Sequence, residues 1–320
     1  GWEENLKRVR ALAEGMGCPV FSVSAATHQG FDALLDETAR LLEELPPPLH
    51  YAEEKIPEEK VDYDAYYCKS YNKAVRMLEG GLKVADFGCR RRLSHKAEDV
   101  MMQAFVDASK SVKGPGVFTG SSTVWFAMKY DLTQIGTMAH EFISSIAGMY
   151  GPQEANHIAM DMWQKTFIGS LGIFLYDTFG FKAFSDNFSE HFARVFSGLR
   201  VDSGDNLEQL EKICAKYREF GIDPMSKQVV FSNALDTDCA LALHKAVAGR
   251  VQDSYGIGTH LTCDFADRGV EPMNIVIKLV ASKITEKRDW NPTCKMSEDK
   301  GKYTGDKETF EIFKTLLHID

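Results

Sequence analysis

Phe196-Ser-Gly-Leu-Arg-Val-Asp-Ser-Gly-Asp205 decides how the chain is read. A short apolar run ending at Val201 passes into an acidic, glycine-containing corner. A polar amphipathic stretch then runs to about Phe220. Strand, corner and helix in that order form the βα half of a parallel-sheet unit. The same cadence repeats on both sides. Apolar runs occur at Val84–Phe87, Val117–Thr119, Gln134–Thr137, Leu171–Tyr176, Val229–Phe231 and Ser254–Ile257, with a further run at Asn274–Val280. Each of the first six is followed by a polar corner, and amphipathic segments separate them. The pattern predicts an α/β protein whose parallel strands form a (β/α) barrel. Residues 282–320, rich in Lys, Asp and Thr, read as a tail wrapping it.

Composition narrows the function classes. The 320 residues carry 37 Lys and Arg against 46 Asp and Glu, a net charge of −9, which argues against a general electrostatic grip on nucleic acid. No apolar stretch is long enough to cross a membrane, and the opening GWEENLKRVR lacks the apolar core of a signal peptide, so a cytoplasmic protein is expected. The seven cysteines are scattered and never spaced CxxC, which suggests neither a zinc knuckle nor a disulfide framework.

In a (β/α) barrel the corners that follow the strands gather on one rim, where the chemistry sits. Here they read Gly88-Cys-Arg-Arg-Arg92, Gly120-Ser-Ser-Thr123, Met138-Ala-His-Glu141, Asp177-Thr178, Asp202-Ser-Gly-Asp205, Ser232-Asn233 and Gly258-Thr-His260. Three successive guanidinium groups at a strand end can clamp a pyrophosphate or carboxylate through paired donors. Phe87 beside them can stack on a flat ring. A solvated basic turn with a core Phe is the alternative reading. Asp202 and Asp205 suit ribose hydroxyls or the waters of a Mg²⁺-bound sugar phosphate, yet an acid ahead of a helix is equally a plain N-cap.

Tyr255-Gly-Ile-Gly-Thr-His260 lacks the third glycine of a dinucleotide-binding fingerprint, although its small residues let backbone amides approach a phosphate, as does neighbouring Ser232-Asn233. His140-Glu141 begins like H-E-x-x-H, but Ser144 stands in the second His position, which excludes a zincin. His140 is then either a satisfied core histidine or a nucleophile or acid–base group on the rim.

From about Ala65 onward the chain resembles nicotinate phosphoribosyltransferases. The matching blocks stand in family order: DFGCRRRLS, FTGSSTVWFAMKY, IGTMAHEF, LGIFLYDTF, GLRVDSGD, GIDPMSKQVVFSNALD, SYGIGTHLTCD, PMNIVIKLV and KGKYTGD. The resemblance implies an irregular (β/α) barrel of the type II phosphoribosyltransferase kind over residues 65–320. It implies transfer of phosphoribosyl from phosphoribosyl pyrophosphate to nicotinate, coupled to ATP hydrolysis through a phosphohistidine in a cytoplasmic homodimer. On the matched positions it implies catalytic roles for His140, Arg200 and Asp202. Substrate contacts fall on Phe87, Arg90, Arg91, Ser122, Asp177, Ser203 and Asp205, and phosphate contacts on Ser232, Asn233, Gly256, Gly258 and Thr259. Mg²⁺ is expected to ride on the substrate phosphates, with no protein ligand set.

Residues 1–47 read as helix, strand and helix, an α-β-α appendage in which one strand cannot cover both its faces. Pro19-Val-Phe-Ser-Val-Ser-Ala-Ala26 resembles the last segment of an Obg-type GTPase G domain, with Ser24-Ala25-Ala26 at the guanine-contacting element. No G-x-x-x-x-G-K-[ST] loop occurs, and Asn72-Lys73 is followed by Ala-Val rather than the Asn-Lys-x-Asp pattern, so GTP binding is not expected. Residues 48–64, rich in Pro and Glu, read as a linker. The appendage stands where the phosphoribosyltransferases carry a front portion that closes the site and helps form the dimer. Two alternatives follow: a truncated or chimeric barrel that binds ligand or serves as a scaffold without turnover, and a related phosphoribosyltransferase acting on nicotinamide or quinolinate.

Overall fold

Asp62 caps the first described helix, α1 (Tyr63–Glu79), by accepting the Ala65 amide at 2.9 Å. The helix thus begins two residues inside the stretch read as linker. The structure, a computed structural model, describes residues 7, 40, 61–265, 270–285, 287–299 and 303–319. Contacts divide the chain into two compact units, residues 1–58 and 59–320. Lys7 and Arg40 are helical. The α-β-α appendage, its GTPase resemblance and the linker up to residue 60 otherwise lie outside the described residues.

The second unit is built on seven strands: β1 (Lys83–Asp86), β2 (Val117–Ser121), β3 (Thr133–Gln134), β4 (Ile173–Leu175), β5 (Gly198–Val201), β6 (Gln228–Phe231) and β7 (Gln252–Ile257). All but β3 fall on the apolar runs; β3 only touches the run Gln134–Thr137, at Gln134. All neighbours pair in parallel, in the order β3-β2-β1-β7-β6-β5-β4. Successive side chains on a strand point to opposite faces. One set, including Val84, Phe174, Leu199, Val201, Val229, Phe231, Tyr255 and Ile257, is almost wholly buried. The alternate set, including Ala85, Thr119, Ile173, Val230 and Ser254, lines a cavity of about 270 Å³. Gln134 of β3 and Ile173 of β4, at opposite edges of the sheet, both line that cavity, so the sheet curls round it.

The curl stops short of the closed ring expected of a barrel. No ladder joins β3 to β4 among the described residues, which makes a half-barrel. The edges are short: β3 pairs through two residues and β4 through three. The eighth apolar run, Asn274–Val280, joins no sheet, and Ile275, Ile277 and Val280 are exposed along it.

Helices α2 (His95–Ser111), α3 (Val124–Lys129), α4 (His140–Tyr150), α5 (Ala155–Phe167), α6 (Gly180–Asn187), α7 (Glu190–Val195), α8 (Asn206–Glu219), α9 (Thr237–Val247) and α10 (Thr259–Thr262) fill the connections. An aromatic cluster anchors the β4–β5 side. Phe184 packs tilted against Phe188 at 4.6 Å and Tyr176 at 5.2 Å and stacks on Phe174 at 5.9 Å, with Phe196 completing the group. Removing one fully buried ring of this kind costs about 3–5 kcal/mol.

The C-terminal stretch is more than a tail. β8 (Ala281–Ser282) pairs antiparallel with β9 (Asn291–Pro292), and α11 (Lys307–Leu317), capped by Asp306, buries Phe313 and Leu317. Thr293 donates to the Ser144 carbonyl at 2.6 Å, and the Met296 amide donates to the Thr178 carbonyl at 2.8 Å. This stretch therefore ties down α4 at Ser144 and the corner that follows β4 at Thr178.

Candidate active site

Five strand ends and one helix start supply the rim. Arg200 lies on β5, and Asp202 is the first residue beyond that strand. Thr178 follows β4, Thr137 follows β3, Ser232 follows β6, Phe87 follows β1, and His140 opens α4. Their side chains meet. Arg200 donates through Nε to Ser232 Oγ at 2.8 Å, through Nη1 to Thr137 Oγ1 at 2.9 Å and through Nη2 to Asp202 Oδ1 at 2.6 Å. Its guanidinium carbon lies 5.1 Å from the centre of the Phe87 ring. The planar fork thus bonds three corners at once, which a lysine at this position could not do. Asp202 accepts in addition from Ser232 Oγ at 2.8 Å, and its Oδ2 stands 3.2 Å from His140 Nε2. Thr178 Oγ1 lies 3.0 Å from His140 Nδ1.

Burial alone would push the Asp202 carboxyl up. The hydrogen bond from His140, the charge of Arg200 and the Ser232 hydroxyl outweigh it, and the group is held far below the usual carboxylate range. Asp202 is therefore an anion that can only accept, so His140 Nε2 must carry a hydrogen toward it. In the neutral ring the lone pair then sits on Nδ1, where the Thr178 hydroxyl donates to it. The arrangement leaves the Nδ1 lone pair toward Thr178, with Asp202 steadying the ring.

Asp177 differs. Its burial raises its pKa, with the nearby His140 pulling down and Asp202 pushing up. Oδ2 accepts from the Ser203 hydroxyl, while Oδ1 is buried without a partner. An orphaned carboxylate oxygen beside an anion-handling cluster fits a cation or a ligand hydroxyl. For Mg²⁺ the donor set is thin: no group of three His, Cys, Asp or Glu residues is arranged to hold a metal among the described residues.

The other expected residues divide. The three arginines do not form a clamp. Cys89–Arg91 is a 3₁₀ turn, whose three residues per turn send consecutive side chains in different directions. Arg92 turns inward to the buried Glu98 at 3.1 Å, Arg91 donates to Asn274 at 3.0 Å, and Arg90 is exposed. Asp205 caps α8 through the Leu207 and Glu208 amides at 3.0 and 2.9 Å, so the capping alternative describes its contacts. Asn233 donates to the Gly204 carbonyl at 2.9 Å. Ser203 also accepts from the Glu298 amide at 3.2 Å.

The amide of Ser122 donates to the Asp86 carbonyl at 2.7 Å, and its hydroxyl is buried without a partner. A Cβ on Gly256 would sit 2.6 Å from the Phe87 ring, so the absent side chain there makes room for that ring. Gly258 lies against the Phe87 carbonyl, and Thr259 opens α10.

Sequence reasoning passed over Thr137 and Thr178, although both lie in stretches it singled out. Their role is visible only once Arg200 and His140 are brought to them. It also passed over Lys295, which sits in the tail without periodicity to mark it. A second carboxylate network was missed as well. Asp86, at the end of β1, accepts from the Gly88 amide and the Ser121 hydroxyl, both at 2.7 Å. Burial pushes its carboxyl up to about 7. Glu98 beside it, also raised by burial, accepts from Thr123 and Arg92.

Comparison with known proteins gives this geometry its context. Residues 82–319 match the model of the nicotinate phosphoribosyltransferase (NAPRTase) family. Nicotinate phosphoribosyltransferase 1 of Pseudomonas aeruginosa is 43% identical over 239 residues, which cover 74% of this chain and 56% of that protein. A probable nicotinate phosphoribosyltransferase of Schizosaccharomyces pombe is 39% identical over 256 residues, 77% of this chain and 61% of that protein. The crystal structure of nicotinate phosphoribosyltransferase from Porphyromonas gingivalis superimposes with a TM-score of 0.75 at 36% identity, covering 81% of this chain and 65% of that one. The chain spans a little more than half the length of these curated relatives.

Proposed function

The chain belongs to the nicotinate phosphoribosyltransferase family, and from that premise we propose that the rim around Arg200, Asp202 and His140 transfers phosphoribosyl from phosphoribosyl pyrophosphate to nicotinate. The observation that carries this reading is the meeting of Phe87, Thr137, His140, Thr178, Arg200, Asp202 and Ser232 at one end of the sheet. The pyridine nitrogen attacks the anomeric carbon. A carbon–nitrogen bond forms, the bond to the pyrophosphate oxygen breaks, and the electron pair leaves with pyrophosphate. The sugar carries positive charge as that bond opens, and the Asp202 anion stabilises it. Phe87 offers a ring face to the pyridine, and Arg200, within cation–π distance of the same phenylalanine, offers its remaining donors to the nicotinate carboxylate. Mg²⁺ supplies charge neutralisation on the diphosphate.

In this reading the half-barrel is the type II phosphoribosyltransferase barrel, ATP is a co-substrate whose phosphoryl group passes through His140, and the enzyme is a cytoplasmic homodimer. No helix among the described residues is long and apolar enough to cross a membrane. Incubation with radiolabelled nicotinate, phosphoribosyl pyrophosphate and Mg-ATP tests the proposal: nicotinate mononucleotide forms, and equal nicotinamide yields none. A second reading follows from the share of the relatives that the chain covers. If nicotinate mononucleotide raises the melting temperature while no product forms from either base, the rim binds without turnover.

A further inference from the structure

Lys295 is joined to the His140 cluster by its own backbone. The next two amides, Met296 and Ser297, donate to the Thr178 carbonyl at 2.8 and 3.3 Å, and the hydroxyl of the same threonine lies 3.0 Å from His140 Nδ1. The side chain is half-buried. Among the described residues its ammonium has neither a hydrogen-bond acceptor nor a carboxylate at ion-pair distance. Asp177, Asp202 and Glu141 attract it from further off, and Lys278, which is paired with Glu141 at 3.2 Å, repels it. Burial holds its pKa below that of an ordinary lysine. A cation withdrawn from water without a partner is costly, and the cost is recovered when an anion arrives.

His140 needs such a cation. A phosphoryl group on Nδ1 would add about two negative charges beside the Asp202 anion, while Arg200 is tied to Ser232, Thr137 and Asp202 and its remaining donors are assigned above to the nicotinate carboxylate. We propose that Lys295 is a phosphate-binding residue of this site, its ammonium holding the phosphoryl group as it passes from a nucleoside triphosphate to Nδ1 of His140. The Nδ1 lone pair forms the N–P bond, and the bond from the γ-phosphorus to the bridging oxygen breaks. Its electron pair leaves with the nucleoside diphosphate, while Nε2 keeps its hydrogen on Asp202. This role rests on the phosphohistidine reading above.

Two measurements on the full chain and on Lys295→Met and Lys295→Arg test it, with melting temperatures taken in parallel. Calorimetric titration with Mg²⁺ and the β,γ-imido analogue of ATP reads binding without turnover. Lys295→Met weakens binding about tenfold or more, as expected for one lost charge-assisted hydrogen bond, while Lys295→Arg stays within a few-fold of wild type. Base-stable, acid-labile labelling from γ-³²P-ATP falls in the same order. Wild-type labelling that Lys295→Met leaves undiminished, with unchanged analogue affinity, overturns the role of Lys295 alone. A wild-type chain that takes no label overturns the phosphohistidine reading and this proposal together.

Discussion

Two strand ends of the same sheet hold a carboxylate each, Asp202 half-buried and Asp86 fully buried, and they are wired in opposite ways. At the end of β5, Asp202 faces a guanidinium, an imidazole and a hydroxyl, and it stays ionised. At the end of β1, Asp86 faces a backbone amide and a hydroxyl, has Glu98 nearby, and is pushed toward the neutral form. Strand-end placement alone therefore does not make a reactive corner. What distinguishes the two is whether fixed positive charge is close enough to overcome desolvation. The β5 corner holds an anion ready to orient His140, whereas the β1 corner braces the turn that carries Phe87.

Substitutions that remove or exchange this wiring test the contrast. The largest effect belongs to Asp202→Ala, which strips Arg200 of its carboxylate inside the rim. It should cost about 3 kcal/mol in urea unfolding and abolish ATP-dependent labelling of His140. Arg200→Lys keeps the charge but loses the three-way fork, and should weaken nicotinate mononucleotide binding by one to two orders of magnitude in calorimetry. Gly256→Ala brings a methyl to 2.6 Å from the Phe87 ring. The ring must shift, and fluorescence or calorimetric titration with nicotinate should show roughly tenfold weaker binding, with stability lowered by about 1 kcal/mol. Asp86→Asn, which imitates the protonated acid, should cost less than about 1 kcal/mol at pH 5.

The two carboxylates also predict opposite pH limbs. Asp86 titrates at about 7 in the folded protein and near 3.8 when exposed. Between those values the folded state keeps a proton that the unfolded state has lost. Its stabilising contribution is complete below about pH 4 and declines as pH rises to 7. Asp202 is shifted the other way, so its contribution is present above about pH 4 and is lost as pH falls. Unfolding curves collected from pH 3 to 8 should show a shallower upper decline in Asp86→Asn and a shallower acid decline in Asp202→Asn, with other shifted carboxyls supplying the remainder. If either variant keeps the wild-type limb, the charge assignment at that corner is wrong.

Six of the seven strands were legible because each lies on a short apolar run bounded by a corner, a local signal, whereas β3 is the exposed polar pair Thr133–Gln134 at the margin of such a run. Strand pairing is not local. The openness between β3 and β4 and the unpaired state of Asn274–Val280 depend on which backbones reach one another, and an apolar run in the sequence does not encode that. His140 and Asp202 stood out because polar and charged groups in the corners after apolar runs are conspicuous, and Arg200 because it is a charge inside such a run. Arg90, Arg91 and Arg92 stood out in a corner too, yet the 3₁₀ turn and the residue after it send them apart: Arg91 to Asn274, Arg92 to Glu98, and Arg90 to solvent. Thr137, Thr178 and Lys295 carried no such mark, since a hydroxyl or a tail lysine gains meaning only from the side chain it meets.

Calorimetric titration of nicotinate mononucleotide into the wild-type chain, Arg200→Lys and Asp86→Asn tests the central claim most directly. Saturable binding to one site per chain, weakened at least tenfold by Arg200→Lys and left intact by Asp86→Asn, is the expected result. Absence of binding to the wild-type chain, or equal weakening by both substitutions, would contradict a ligand mouth organised around the end of β5.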